Sequence, residues 1–226
     1  RIADGLFPCR PVIAREDFSI EVNSPPLTLE EFWLAVHRIR AKNKSPGPDG
    51  IDTAILYAVS NVCPEWLLGI FNRCLAAGVY PKRWKVARLV LLRKGDKPVG
   101  VPSSYRPLCL LNDVGKLFEY LLAQRVEQQL DRAGGLSPVQ YGFRRGRSTT
   151  DAAMLLKNKA CDAINNKRMC VAVSLDIRNA FNTIGWEHVL AALRRLGIQP
   201  CLLKLFSSYF SDRTAVIDCS ASAGYR

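Results

Sequence analysis

The sequence predicts a mixed α/β (α+β) protein in which helices outnumber strands. Three observations point there. Several stretches carry apolar residues at helical spacing, such as Val114, Leu117, Phe118, Leu121 and Leu122. Two short apolar runs, Val86–Leu92 and Met169–Leu175, read as strands. The second run is apolar almost throughout and ends in Asp176, the pattern of a strand buried on both faces.

The elements follow in order. Residues 1–27 hold Pro8, Pro11, Pro25 and Pro26 and no sustained period, which predicts a linker or extended arm. Thr28-Leu29-Glu30-Glu31 matches a capping box and opens a helix that should fail near Asn43. Lys44 to Ile51 (KSPGPDGI) is a rigid turn segment in which two prolines fix φ and two glycines permit positive φ. Residues 52–78 read as helical with Gly78 as terminator, and Pro81–Lys85 leads into the first strand. A loop follows over Gly95–Ser104. The next helix begins at Val114, capped by Asn112 or Asp113 and stopped by Gly134-Gly135. Residues 137–148 are basic and turn-rich, and Thr149–Asn165 is helical. After the Met169–Leu175 strand, helices are expected from Glu187 to Leu196 and again from Pro200.

Composition narrows the function. The chain has 226 residues, 48% hydrophobic and 23% charged, which excludes a wholly disordered chain, a collagen and a coiled-coil rod. Its net charge of +12 favours a polyanionic partner, nucleic acid or an acidic membrane surface. No apolar run approaches the ~18 residues of a membrane helix, and no signal-peptide core is visible. The eight cysteines include no C-x-x-C pair, and the only histidines are His37 and His188, so a zinc site is not expected. Most cysteines lie in apolar stretches, which predicts buried, reduced thiols in an intracellular protein.

Asp176 is the sharpest single position. A carboxylate at the end of a buried strand opens onto a crevice and suits a hard cation, although the same residue type also closes turns. Its surroundings, Leu175-Asp176-Ile177-Arg178-Asn179-Ala180-Phe181-Asn182, resemble the first catalytic box of reverse transcriptases. Other stretches agree in order. Ser45–Ile51, Trp84–Lys94, Ser104–Leu111, Gly115–Glu119 and Gln140–Ala152 each resemble a box of the non-LTR (LINE-like) retrotransposon enzymes, with Asn179-Ala180-Phe181-Asn182 most like the insect-type elements.

The resemblance implies a right-hand polymerase: a fingers region over 28–168 and the start of an incomplete palm over 169–226. It implies an RNA-directed DNA polymerase, a nucleotidyltransferase adding deoxynucleoside triphosphates to a 3′-OH by two-metal phosphoryl transfer. Asp176 and the Ile177 carbonyl would hold Mg²⁺, or Mn²⁺ in its place. Lys94, with Arg93 as its rival, and Arg106 would grip the triphosphate. Asn179 and Ala180 would lie beneath it. Phe181 would close the space of a ribose 2′-OH. Gln140, Gly142, Phe143 and Arg144 would touch the template, where Arg145 and Arg147 add charge. A basic run of Lys82, Arg83, Lys85, Arg88, Arg93, Lys94 and Lys97 would face nucleic acid. The expected partners are an RNA template, a DNA primer and dNTPs, with work in the nucleus after cytoplasmic synthesis.

The resemblance has a limit. The family's aromatic-x-Asp-Asp hairpin has no counterpart, because no Asp-Asp pair occurs in the 226 residues. The expectation is therefore a piece of a longer enzyme that does not polymerise alone, as the opening Arg1 also suggests. The strand ending at Asp176 should then want sheet neighbours that the chain does not supply. A non-catalytic RNA-binding relic and a group II intron maturase-like protein are the alternative readings.

Overall fold

The computed structural model describes residues 2–7, 24–40, 45–177 and 180–217. Its elements run α1 (Ile2–Leu6), α2 (Leu29–Arg40), α3 (Thr53–Val62), α4 (Pro64–Ala77), β1 (Val86–Arg93), β2 (Tyr105–Leu110), α5 (Asp113–Arg132), α6 (Thr149–Asn165), α7 (Ala180–Thr183), α8 (Trp186–Arg195), α9 (Pro200–Phe210) and β3 (Thr214–Ile217). The architecture is mixed, helices around one small sheet, as the sequence predicts.

Helix starts follow local chemistry. The Thr28 N–H donates to Glu31 Oε2 (2.8 Å) and the Glu31 N–H to Thr28 Oγ1 (3.2 Å), the expected capping box. Ser148 and Asp151 build a second one at α6. The Asp52 side chain caps α3 by accepting from the Ile55 N–H. The helical stretch 52–78 divides at Cys63, because Pro64 suits the first turn of a new helix and not the interior of an old one. The two halves meet at a bend of 103°. Gly78 ends α4 with φ +64, as the sequence anticipates.

The core is helical and aromatic. Phe32 of α2, Phe71 of α4, Leu117, Phe118 and Leu121 of α5 and Leu205 of α9 are all fully buried. Phe118 stacks on Phe71 (5.1 Å, 6°) and on Tyr80 (5.5 Å), with Trp84 edge-on at 6.0 Å. Arg125 of α5 grips both Glu31 oxygens, the second at 2.7 Å, and donates to the carbonyls of Pro25 (3.1 Å) and Pro26 (2.8 Å). That fork staples the start of α2 to α5.

The sheet has strand order β2-β1-β3. β1 is antiparallel to β2, with Leu92 opposite Arg106, and parallel to β3, with Arg88 opposite Val216. Neither flanking strand is anticipated by the sequence. Pro107 argues against a strand, and an edge position tolerates it because the missing N–H faces away from β1. β3 is only four residues long.

Four expectations are corrected. The arm 1–27 contains α1, which docks on Pro102: a Cβ on Gly5 would lie 2.6 Å from Pro102 Cγ. Met169–Leu175 is not a buried strand. It has no regular secondary structure, is exposed (Met169 92%, Leu175 90%) and pairs with nothing among the described residues. Apolar content favours a buried strand only if a ladder partner is present, and β1 pairs instead with β2 along Arg88–Arg93 and with β3 along Val86–Leu89. Of the six described cysteines, all free, only Cys201 is buried, while Cys109, Cys161 and Cys170 are exposed. They lie on the edge strand, on α6 (which buries no residue) and in the unpaired segment. Lys85 does not face outward: it is buried and its Nζ donates to the Ser208 carbonyl (2.8 Å). No single described helix is long and apolar enough to cross a membrane.

Candidate nucleotide and nucleic-acid site

The β1–β2 hairpin carries two of the sequence-predicted residues. Side chains alternate along a strand, so Lys94, two residues after Leu92, shares a face with Leu92 and its partner Arg106. The ladder continues to that point, since the Lys94 N–H donates to the Ser104 carbonyl (2.8 Å). Arg93 faces the other way and forks onto the Lys97 carbonyl (3.1 and 2.9 Å). Geometry therefore separates the two rival cations: Lys94 accompanies Arg106 and Arg93 braces the loop. Lys94 Nζ donates to the Ser103 carbonyl (3.0 Å), and Arg106 is exposed.

Residues 137–148 form a self-braced loop. The Gln140 N–H donates to the Ser137 carbonyl (3.0 Å), and so does Arg144 Nη1 (2.7 Å). Gln140 Nε2 reaches the Gly142 carbonyl at 3.5 Å, a weak contact. The Arg147 guanidinium lies 5.4 Å from the Tyr141 ring centre. Phe143 adopts φ +56, uncommon for a residue with a bulky side chain, and its ring is 94% exposed. Gln140, Gly142 and Arg145 are exposed and Arg144 is half-buried.

Two of the predicted boxes meet here. The Phe143 ring packs edge-on against Phe181 of α7, centres 5.7 Å apart and planes at 88°. Phe181 is itself 76% exposed and Ala180 half-buried. Asn179 lies outside the described residues. Asp176 and Ile177 are exposed in the unpaired segment 169–177.

A divalent ion needs several oxygen ligands, and two-metal chemistry needs at least two converging carboxylates. No group of three or more His, Cys, Asp or Glu able to hold a metal occurs among the described residues. Asp176 with the Ile177 carbonyl is a partial donor set, so these residues do not fit a complete metal centre.

Two structural supports escape a motif search. Gly47 passes against backbone where β2 turns into α5: a Cβ would lie 2.5 Å from Asn112 N. The Pro-Gly-Pro run is the sequence signal that could have exposed it. Behind the sheet, the Tyr209 hydroxyl donates to Glu119 Oε1 (2.7 Å), and the Arg213 guanidinium lies 4.2 Å from the Tyr209 ring centre. Burial pushes the Glu119 carboxyl above its usual range, against the pull of Tyr209, Arg213 and Lys116. Burial likewise raises the hydroxyls of Tyr80 and Tyr209, with Glu119 adding to both.

This mixed α/β protein presents a basic hairpin face, an arginine- and aromatic-rich loop and an exposed aromatic pair, residue types that suit phosphate contact and base stacking. Comparison with known proteins is more specific. The family described as "Reverse transcriptase (RNA-dependent DNA polymerase)" matches residues 92–224, and the chain belongs to that family. It is 34% identical over 190 residues to the Retrovirus-related Pol polyprotein from type-1 retrotransposable element R1 of Bradysia coprophila, covering 84% of this chain and 18% of that protein. It is 36% identical over 198 residues to the Putative 115 kDa protein in type-1 retrotransposable element R1DM of Drosophila melanogaster (87% and 19%). It is 30% identical over 197 residues to the RNA-directed DNA polymerase from mobile element jockey of the same fly (87% and 21%). The chain spans about a fifth of the length of these relatives. The sequence resemblance to non-LTR retrotransposon enzymes is thereby borne out.

Proposed function

We propose that residues 28–168 are the fingers and residues 169–226 the start of the palm of a right-hand, RNA-directed DNA polymerase from a non-LTR retrotransposon. The reaction is template-directed extension of a DNA primer on RNA. The primer 3′-hydroxyl gives up its proton to solvent as its oxygen attacks the α-phosphorus of a dNTP; the new P–O bond replaces the one to the bridging α,β oxygen, and pyrophosphate leaves. Lys94 and Arg106 bind the triphosphate, Asn179 and Ala180 lie beneath it, and Phe181 excludes a 2′-OH. Gln140, Gly142, Phe143 and Arg144 contact the template. Mg²⁺, or Mn²⁺, is the ion such chemistry uses, and Asp176 with the Ile177 carbonyl would supply only part of its coordination. Integration at a chromosomal target places this work in the nucleus.

One observation supports the reading best: Lys94 and Arg106 share one face of the hairpin while Arg93 turns away. The test measures binding of an RNA–DNA hybrid with a chain-terminated primer, with and without the complementary dNTP. The dNTP should tighten the complex. Arg106→Ala should reduce that tightening roughly tenfold or more, as expected for one charge-assisted phosphate contact, and Lys94→Ala should reduce it less because Nζ also serves the loop. A dNTP effect that survives both substitutions overturns the assignment.

A further inference from the structure

We propose that Phe143 is a positioning residue for Phe181, so that the template loop sets how strictly the nucleotide pocket rejects a ribose. The inference rests on the reading of Phe181 given above and extends it to a residue outside the pocket.

Phe181 stands on α7. This helix is a single turn closed by the Ile184 N–H donating to the Ala180 carbonyl (3.2 Å). Before it, residues 169–177 form no ladder with any described segment. After it, the next ring anchor is Trp186, stacked on Phe210 (4.6 Å, 10°). One turn is too short to fix an aromatic side chain by its own hydrogen bonds. Phe181 is largely exposed, and among the described residues its ring contact is Phe143.

Phe143 is well placed to serve as that wall. Its positive φ is held on one side by the Ser137 carbonyl, which takes the Gln140 N–H and the Arg144 guanidinium. On the other side the Arg147 N–H donates to the Arg144 carbonyl (3.3 Å). These bonds hold the backbone at its positive φ, and from there the exposed Phe143 ring meets Phe181 edge-on. Steric exclusion of a 2′-OH needs a ring that cannot swing aside, so a loose Phe181 discriminates poorly. Arg144 and Phe143 are neighbours, so nucleic acid held by one acts directly on the other. Coupling of this kind is reciprocal: template should sharpen sugar preference, and the correct dNTP should tighten template.

The test uses two readouts. The first is hydrogen exchange of the Ile184 amide in the chain without nucleotide. Phe143→Ala should speed it roughly 2- to 10-fold, the range expected for losing one aromatic pair. Phe143→Tyr should restore the parent rate, and Phe143→Ala should add nothing in a Phe181→Ala background. The second is the ratio of complementary dNTP to rNTP affinity for the complex with a chain-terminated primer. Phe143→Ala should cut that ratio by a similar factor and Phe143→Tyr should recover it. Unchanged exchange, or an unchanged ratio, in Phe143→Ala overturns this inference alone. Absence of any sugar preference in the parent chain overturns the reading of the pocket and this inference with it.

Discussion

Two glycines sit three residues apart in the Ser45–Ile51 turn, and they should fail for different reasons. At Gly47 a Cβ would lie 2.5 Å from Asn112 N, 2.5 Å from the Leu111 carbonyl carbon and 2.6 Å from Asn112 Cα. Ordinary carbon contacts need ~3.5–4.0 Å. All three obstructing atoms are backbone, so no side chain can rotate away. Overpacking costs about 1–3 kcal/mol, and the rigid obstruction places Gly47→Ala in the upper part, at about 2–3 kcal/mol. A protein of this size loses about 2–4 °C of melting temperature per kcal/mol, which gives a fall of about 4–12 °C. Gly50 is the contrast. Its φ is +71, its N–H donates to the Gly47 carbonyl (3.1 Å), and a Cβ there meets nothing within 4 Å. Alanine should cost only the left-handed backbone penalty, about 1–2 kcal/mol.

Asparagine separates the two cases. It tolerates positive φ, so Gly50→Asn should recover part of the loss. Its longer side chain should make Gly47→Asn worse than Gly47→Ala. Thermal melts followed by circular dichroism, with urea titrations beside them, read the order directly. A Gly47→Ala chain that melts with the parent, or a Gly47→Asn chain no worse than Gly50→Asn, would refute the close-approach argument. Gly47→Ala should also weaken the dNTP effect on hybrid binding, because the backbone it displaces leads from Arg106 into α5.

Further outcomes follow from the packing and charge. Phe118→Ala should cost about 3–5 kcal/mol in a urea titration, since its ring is fully buried among Phe71, Tyr80 and Trp84. Burial pushes the Glu31 carboxyl up, but the Arg125 fork and Thr28 hold it below its ordinary 4.5. Stability from this group is present above that value and lost as pH falls through the lowered folded value. Glu31→Gln should therefore cost roughly 1–3 kcal/mol at pH 7, with the gap to the parent closing toward pH 3. Glu119 has the opposite sign. Its raised carboxyl favours the fold below the unfolded value and loses that contribution as pH rises, so Glu119→Gln should gain on the parent as pH rises above the ordinary carboxylate range in the same assay. Arg145→Ala should lower RNA affinity and reduce the slope of log affinity against log salt by roughly one, the signature of one phosphate contact.

Helix boundaries were legible because their causes are local. Thr28 with Glu31, Ser148 with Asp151 and Gly78 each satisfy or terminate a helix within four residues, so the pattern carries the answer. Strands depend on what lies beside them. Val86–Arg93 reads as a strand and is one, flanked on both sides. Met169–Leu175 reads as a better strand and forms none, because its backbone groups find no described partner. Tyr105–Leu110 gives no strand signal and carries Pro107, yet it pairs because an edge requires hydrogen bonds on one side only. Composition reports the wish to be buried, and only the ladder decides whether the wish is met.

The same division governs the site. The motifs nominate residues, but the separation of Lys94 from Arg93 is a matter of strand register, and register flips every side chain when it slips by one. The meeting of Phe143 with Phe181 joins positions far apart in sequence, and no local pattern encodes it. Lys85 shows the hazard of reading charge alone: within a basic run it points inward, to the Ser208 carbonyl, and ties the sheet to α9. A basic run on a strand is therefore two populations. Lys94 shares the face of exposed Arg106, whereas Lys85 and Arg93 are used by the fold, one on the Ser208 carbonyl and the other on the Lys97 carbonyl. Substitutions on the Arg106 face should change binding with little change in melting, and substitutions at Lys85 should do the reverse.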